Sequence, residues 1–243
     1  KFSTAATSSE EYSGKMNVNA KKDIARLKAG EPLGYIIGFV EFLDCKIDVT
    51  KKVLIPRVET EYWVELALSE IPKNTTARIL DMFSGSGAIG VSIMRHQPDV
   101  KVIFSDSEKN AVDQIKINAD MNAIRKNRYE IIQADIFEGI PGKFDYIFAN
   151  PPYIPETVRH KVQKSVLEYE PHKALFGGND GLLHVRKFLA EAKNYLHDGG
   201  KIYMEFDSLQ KKKIDDFLKK CGYQQWEFHK DQYDKWRWVE IFT

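Results

Sequence analysis

Beyond Ala77, short apolar runs alternate with stretches of helical spacing, and this alternation leaves the chain few folds to choose from. ARILDMF, VKVIFSD, YEIIQAD, FDYIFAN and GGKIYMEF read as strands. AIGVSIMRH, EKNAVDQIKINADMN, GLLHVRKFLAEAKNYL and SLQKKKIDDFLKKCG read as helices, the last closed by Gly222. Parallel neighbours need a long crossover, and a helix is the usual one, so the fold class is α/β: a doubly wound, mostly parallel sheet with helices on both faces. QWEFHKD and KWRWVEIFT have no helix between them and must pair antiparallel.

The front of the chain follows another pattern. Asn19 to Ala29 reads as a short helix stopped by Gly30. Gly34 to Ile55 (YIIGFVEF, CKIDV, VLI) suggests a hairpin-like appendage. Thr60 stands where it could cap a helix that turns Trp63, Val64, Leu66 and Ala67 inward and ends before Pro72. A length of 243 residues suits one large domain with such an appendage, and 43% hydrophobic residues suffice for a core. The first fifteen residues carry Glu10 and Glu11 and lack the apolar stretch of a signal peptide. Two cysteines, Cys45 and Cys221, make no disulfide scaffold and fit a reducing compartment.

In open α/β sheets ligands sit at the carboxyl ends of the strands. The first such end is Asp81-Met82-Phe83-Ser84-Gly85-Ser86-Gly87, where Gly85 and Gly87 let the backbone approach a ligand. The second strand ends in Asp106 followed by Ser107, at the place where dinucleotide folds put a ribose-binding carboxylate. The third ends in Asp135-Ile136. Each acid alone could be a plain helix cap. Together, three acid-tipped strands suit a nucleoside with a ribose diol and an amine, and suit a triphosphate poorly. No P-loop is present, and Gly90 falls inside the helix.

The fourth strand runs into Asn150-Pro151-Pro152-Tyr153. Two prolines would stop any strand, but a stop needs neither Asn before them nor an aromatic after them. An amide or exocyclic-amine nitrogen has its lone pair tied up in resonance. The Asn150 side-chain oxygen and the Pro151 carbonyl could accept its two N–H groups, enriching the nitrogen and aiming it at an electrophilic methyl. The prolines preorganise those acceptors, and Tyr153 stacks on the flat acceptor and can face a sulfonium charge.

Taken together, these residues resemble the release-factor glutamine methyltransferases of the PrmC/HemK type, within the class I, seven-stranded methyltransferases that use S-adenosylmethionine. The likeness runs from about Glu31 to the C-terminus and includes PLGYIIG (residues 32–38), LIPRVETE (54–61), the glycine turn, Asp106, NPPY, Glu170-Pro171-His172-Lys173-Ala174-Leu175 and Gly199-Gly200. NPPY alone is shared with adenine methyltransferases. The resemblance implies methylation of the Gln in the Gly-Gly-Gln loop of peptide-chain release factors. It implies cofactor contacts at Asp81, Phe83, Ser84, Gly85, Ser86, Gly87, Asp106, Ser107, Asp135, Ile136 and Asn150. Asn150, Pro151, Pro152 and Tyr153 match the catalytic motif. Arg57 and Glu59 match a segment beside the pocket, and their simpler reading is a buried ion pair. The family usually has Gly at Phe83 and Glu-x-Gly where this chain has Glu205-Phe206-Asp207.

The expected organisation is a reduced or truncated N-terminal helical segment over residues 1–30, a hairpin and helix appendage over 31–72, and the methyltransferase domain over 73–243. The expected partner is a release factor, met by a monomer without membrane or stable nucleic-acid binding. The expected location is the cytoplasm, or the mitochondrial matrix in a eukaryote. A formal net charge of +1 argues against an adenine methyltransferase held to nucleic acid by bulk charge. A cofactor-binding protein without turnover is a further rival, opposed by the intact NPPY. The six histidines lack ligand spacing for a metal. The Lys211-Lys212-Lys213 run reads as a solvated helix face, and the alternating Trp226, Phe228, Trp236 and Trp238 read as core positions of the terminal β-pair.

Overall fold

The computed structural model describes residues 18–243; the stretch with Glu10 and Glu11 before them lies outside the described residues. Seven strands form one sheet: β3 (Arg78–Met82), β4 (Lys101–Asp106), β5 (Tyr129–Gln133), β6 (Phe144–Ala149), β7 (Leu196–Glu205), β8 (Gln225–Lys230) and β9 (Trp236–Phe242). Their order is β5-β4-β3-β6-β7-β9-β8. The first five run parallel, while β9 is antiparallel to both β7 and β8, as a pair without a crossover helix requires.

Both faces are covered, so the central strands are apolar throughout rather than alternating. On one face lie α3 (Val58–Glu70), α4 (Ala88–His96) and α5 (Lys109–Met121), with Trp63, Val91, Ile93 and Ile115 in a shared core. On the other lie α7 (Leu183–Glu191) and α8 (Lys211–Lys220), which contribute Val185, Phe188, Leu189, Ile214 and Leu218. Trp63 stacks between Phe148 and Trp238, each ring centroid 6.1 Å away. Fully burying such an aromatic contributes about 2–3 kcal/mol, which ties α3 to the middle of the sheet. Short α6 (Lys164–Tyr169) stands beyond the tip of β6. Among the described residues no helix is long and apolar enough to cross a membrane.

The terminal aromatics do not all share one face. Trp226, Phe228 and Trp236 pack on the α7–α8 side, whereas Trp238 is 2% exposed in the α3 core. Lys230 pairs with Trp236 but His229 with Trp238, leaving Arg237 as a bulged residue that reverses the alternation.

At the front, α1 (Val18–Lys28) ends at Gly30, whose φ of +89° only glycine adopts without strain. Tyr35-Ile36-Ile37 departs from the expected strand: residues Leu33–Ile37 form a helical turn, α2. Pro32 is preset for a helix start, and its carbonyl accepts from the N–H groups of Tyr35 and Ile36. The Tyr35 hydroxyl is drawn inward to donate to the Val53 carbonyl at 2.5 Å, so burial overrides β-propensity. The hairpin is therefore shorter, β1 (Phe39–Phe42) with β2 (Cys45–Asp48), and Val53 to Ile55 pair with no strand. Asn118 and Gln114 of α5 fasten it by bonds to the Asp48 N–H and carboxylate at 2.7 and 2.9 Å.

Glu31 anchors α1. Arg26 donates to both its oxygens at 2.8 Å, and Lys52 adds a third bond at 2.9 Å. The Arg26 bond above all, with that of Lys52, holds the carboxyl down at about 2. A depressed carboxyl stabilises above its unfolded value of ~4.3, and that stability is lost as pH falls toward the folded value. Hydrogen-exchange protection of α1 should thus fall between about pH 5 and pH 2. Arg26→Ala should remove this pH dependence; protection independent of pH over that range would contradict the anchor.

Candidate active site

β3 leads outward to β4 and β5, and the chain then returns to lay β6 on the opposite side of β3. This reversal is the switch point at which α/β sheets open a crevice. Met82 pairs with Ala149, so the glycine turn and the NPPY loop leave adjacent strands at one edge.

In the glycine turn, Ser84 Oγ donates to the Asp81 carbonyl at 2.6 Å and accepts from the Ser105 N–H at 2.9 Å, locking the turn to β4. The Ser86 carbonyl accepts from Asn118 at 2.8 Å. Gly87, at φ +77°, opens α4. A Cβ on Gly90 would overlap the Phe104 ring, so this helical glycine serves close packing. Phe83 is left-handed at φ +59°, a costly conformation for an aromatic and the place where the family usually has Gly. Its ring makes edge contacts with Phe188 and His184 at 6.0 and 6.3 Å, which offset part of that cost.

Two carboxylates face this turn. Asp106 accepts from the Gly85 N–H at 2.8 Å and the Glu108 N–H at 2.9 Å. Asp81 Oδ2 accepts from the Gly90 N–H at 2.9 Å, while Oδ1 is buried without a partner among the described residues. Burial raises both acids from the ordinary carboxylate range, Asp81 well above it, against those backbone bonds. The space before Gly85 is clear. Asp106 lines a recess beside Gly85, and Asp81 lies buried behind the turn with an unused oxygen; such acceptor capacity suits a ligand bearing an amine and hydroxyl donors. The other expected residues sit differently. Ile136 is buried at φ +56° with its carbonyl toward the Ser105 hydroxyl. Ser107 and Asp135 are exposed, and Asp135 lies 3.6 Å from Lys187 rather than on the wall of this recess.

At the neighbouring tip, Asn150, Pro151, Tyr153 and Glu205 line a cavity of about 360 Å³, with Arg57 and Leu175 opposite. Asn150 also borders the recess that holds Phe83 to Ser86, so the two depressions meet at this side chain. Pro152 is buried, its carbonyl against Gly177. Glu205, 1% exposed, is the hub. Oε2 accepts from the Thr60 hydroxyl at 2.6 Å and the Trp63 indole at 2.7 Å, and Oε1 accepts from the Tyr153 hydroxyl at 3.0 Å. Burial pushes this carboxyl up, opposed by Thr60, Trp63, the charge of Arg237 and Tyr153. Burial, then the Glu205 charge, pushes the Tyr153 phenol far up, so it stays a neutral donor. Asn150 Nδ2 donates to Thr60 Oγ1 at 3.3 Å.

Three expectations change here. Arg57 does not pair with Glu59: its guanidinium bonds Glu170 at 2.6 Å, and Glu170 also accepts from the Ile55 N–H at 3.2 Å. Thr60 does not cap a helix either, because α3 starts at Val58 with Arg57 before it, and the hydroxyl turns to Glu205. Within α3, Leu68 is buried and Leu66 is 39% exposed, so Leu66 does not face inward as expected. Glu205 and Glu170 escaped sequence reading as functional residues. The available signal was two donors, Thr60 and Trp63, three apart on an otherwise apolar helix face.

Comparison with known proteins agrees with this geometry. A family described as Methyltransferase small domain matches residues 59–179, which carry the glycine turn and NPPY. The chain is 38% identical over 217 residues to the release factor glutamine methyltransferase of Lactococcus lactis, covering 89% of this chain and 79% of that protein. To the protein of the same name from Streptococcus pneumoniae it is 37% identical, covering 80% and 68%. The fold overlays a methyltransferase from Pyrococcus furiosus with a TM-score of 0.60 at 19% identity, over 91% of this chain and 98% of that one. The architecture is that of class I methyltransferases. With a glycine turn and NPPY at its switch point and such relatives along most of its length, the chain belongs to the release factor glutamine methyltransferases.

Proposed function

We propose that this protein transfers a methyl group from S-adenosylmethionine to the side-chain amide nitrogen of the Gln in the Gly-Gly-Gln loop of a peptide-chain release factor. The observation that carries this is the meeting of two depressions at Asn150, with the NPPY cavity on one side and the glycine turn on the other, whose Gly85 also borders the recess that Asp106 lines. The release factor comes from the names of the relatives and from the resemblance of LIPRVETE and PLGYIIG.

The cofactor, when bound, supplies a methyl made electrophilic by a sulfonium. The residues present fit it: Asp81 offers an unpartnered buried oxygen to a cationic amine, and Asp106 retains lone pairs for ribose hydroxyls. The apolar walls from Leu54 and Ala111 exclude water beside them. Asn150 Oδ1 and the Pro151 carbonyl hold the two amide hydrogens of the acceptor. Electron density on nitrogen rises without a base removing a proton before transfer, and the product's surplus proton is released to solvent afterwards. Tyr153 stacks against the flat amide. Two prolines and the Glu205 bond to Tyr153 fix this frame in advance, so little reorganisation is left for the chemical step.

Asn150→Ala should lower kcat on a release factor by about 100-fold or more, with cofactor affinity in calorimetric titration changed by less than about threefold. Wild-type turnover in that variant would remove Asn150 from its role. Asp106→Asn should weaken cofactor binding about tenfold, because an amide accepts through one oxygen only and turns an NH2 toward Gly85 or Glu108. Unaltered calorimetric affinity would show that Asp106 merely caps α5.

A further inference from the structure

The orientation of the Asn150 amide decides whether the site works, since only its oxygen can accept from a substrate N–H. Side-chain amides are free to flip, and NPPY itself contains nothing that prevents it. We infer that Thr60 and Glu205 are positioning residues that fix Asn150 with its carbonyl oxygen toward the acceptor cavity. The inference rests on the reading of NPPY given above and adds to it the device that sets its polarity.

The protons available to Glu205 and Thr60 decide the orientation. The Trp63 indole can only donate, and it donates to Glu205 Oε2. The Thr60 hydroxyl has one proton, and at 2.6 Å it is committed to the same oxygen. Thr60 Oγ1 therefore has only lone pairs left for Asn150, 3.3 Å away. Nδ2 facing Thr60 makes a hydrogen bond; Oδ1 facing it would set two acceptors against each other in a site where Thr60 is 4% exposed. The flipped amide is thus disfavoured, and Oδ1 must face the cavity. The same carboxylate receives the Tyr153 hydroxyl, so one acceptor holds both ends of NPPY. Tyr153 is held a second time through its carbonyl, which accepts from Gln210 at 2.8 Å.

A neutral tie between α3 and β7 would serve stability more cheaply than a carboxylate 1% exposed. What a neutral group lacks is the capacity to take three donors at once. That capacity is what engages the Thr60 proton and leaves the hydroxyl oxygen free to act only as an acceptor toward Asn150.

The test uses Thr60→Val, which keeps shape and removes the hydroxyl, and Thr60→Ser, which keeps the hydroxyl. Thr60→Ala stands in should the valine variant not fold. On a release factor, Thr60→Val should lower kcat about tenfold or more, with KM for that protein and calorimetric cofactor affinity changed by less than about twofold. Thr60→Ser should bring kcat back to within about threefold of the starting protein. Equal losses in the valine and serine variants, a loss confined to KM, or no loss overturns the inference. A second readout is independent of turnover: the Asn150 side-chain amide signals in 15N-labelled protein, identified by their absence from Asn150→Ala. Their hydrogens should exchange with water about tenfold faster in Thr60→Val than in wild type or Thr60→Ser. Unchanged exchange refutes the positioning role, whereas accelerated exchange in a protein that methylates no release factor leaves the relay standing and sinks the proposed substrate.

Discussion

One buried carboxylate organises the reactive end of this protein. Glu205 closes the tip of β7 and gathers Thr60 and Trp63 from α3 and Tyr153 from the loop after β6. Burying a charge is costly unless every lone pair is used, and here three donors converge on it with the Arg237 cation nearby. Because the donors come from a helix and a loop and the acceptor from a strand, the bond set cannot form until sheet, helix and loop have all docked. The site and the fold are in this sense a single interaction.

The other half of the crevice is built on the opposite logic. Burial holds the carboxyls of Asp81 and Asp106 above the ordinary range, and Asp81 keeps one oxygen without a partner among the described residues. Unspent acceptors of this kind are a reservoir of binding energy for a donor-rich ligand. A satisfied hub at the tip of β7 holds geometry, while on the proposed reading the acids at the tips of β3 and β4 take the ligand. The strand order makes this possible, because only at the reversal between β3 and β6 do two loops diverge enough to leave a crevice.

Much of this was legible in the residues alone, for physical reasons. A mostly parallel sheet buried on both faces writes itself as apolar runs, and crossover helices write themselves as periodicity, so strands and helices after Ala77 were readable. The glycine turn and NPPY were readable because each concentrates unusual backbone chemistry in a few consecutive residues. Long-range pairing was not. Spacing pairs Arg57 with nearby Glu59, yet it bonds Glu170, 113 positions away. Thr60 resembles a local cap in sequence because its partner lies 145 positions away. Tyr35 looked β-forming until its hydroxyl found Val53. The alternation of Trp236 and Trp238 was broken by a bulge at Arg237, which adds one residue that no spacing rule reveals.

The central claim is that the acceptor is a glutamine amide on a protein loop. It is met most directly by incubating the protein with S-adenosylmethionine and a release factor, then sequencing the Gly-Gly-Gln peptide by tandem mass spectrometry. The account predicts one added methyl group on the side chain of that Gln and none when Asn150 is replaced by Ala. A methyl group found on another residue, or on adenine in an added nucleic acid while the Gln stays bare, would contradict it.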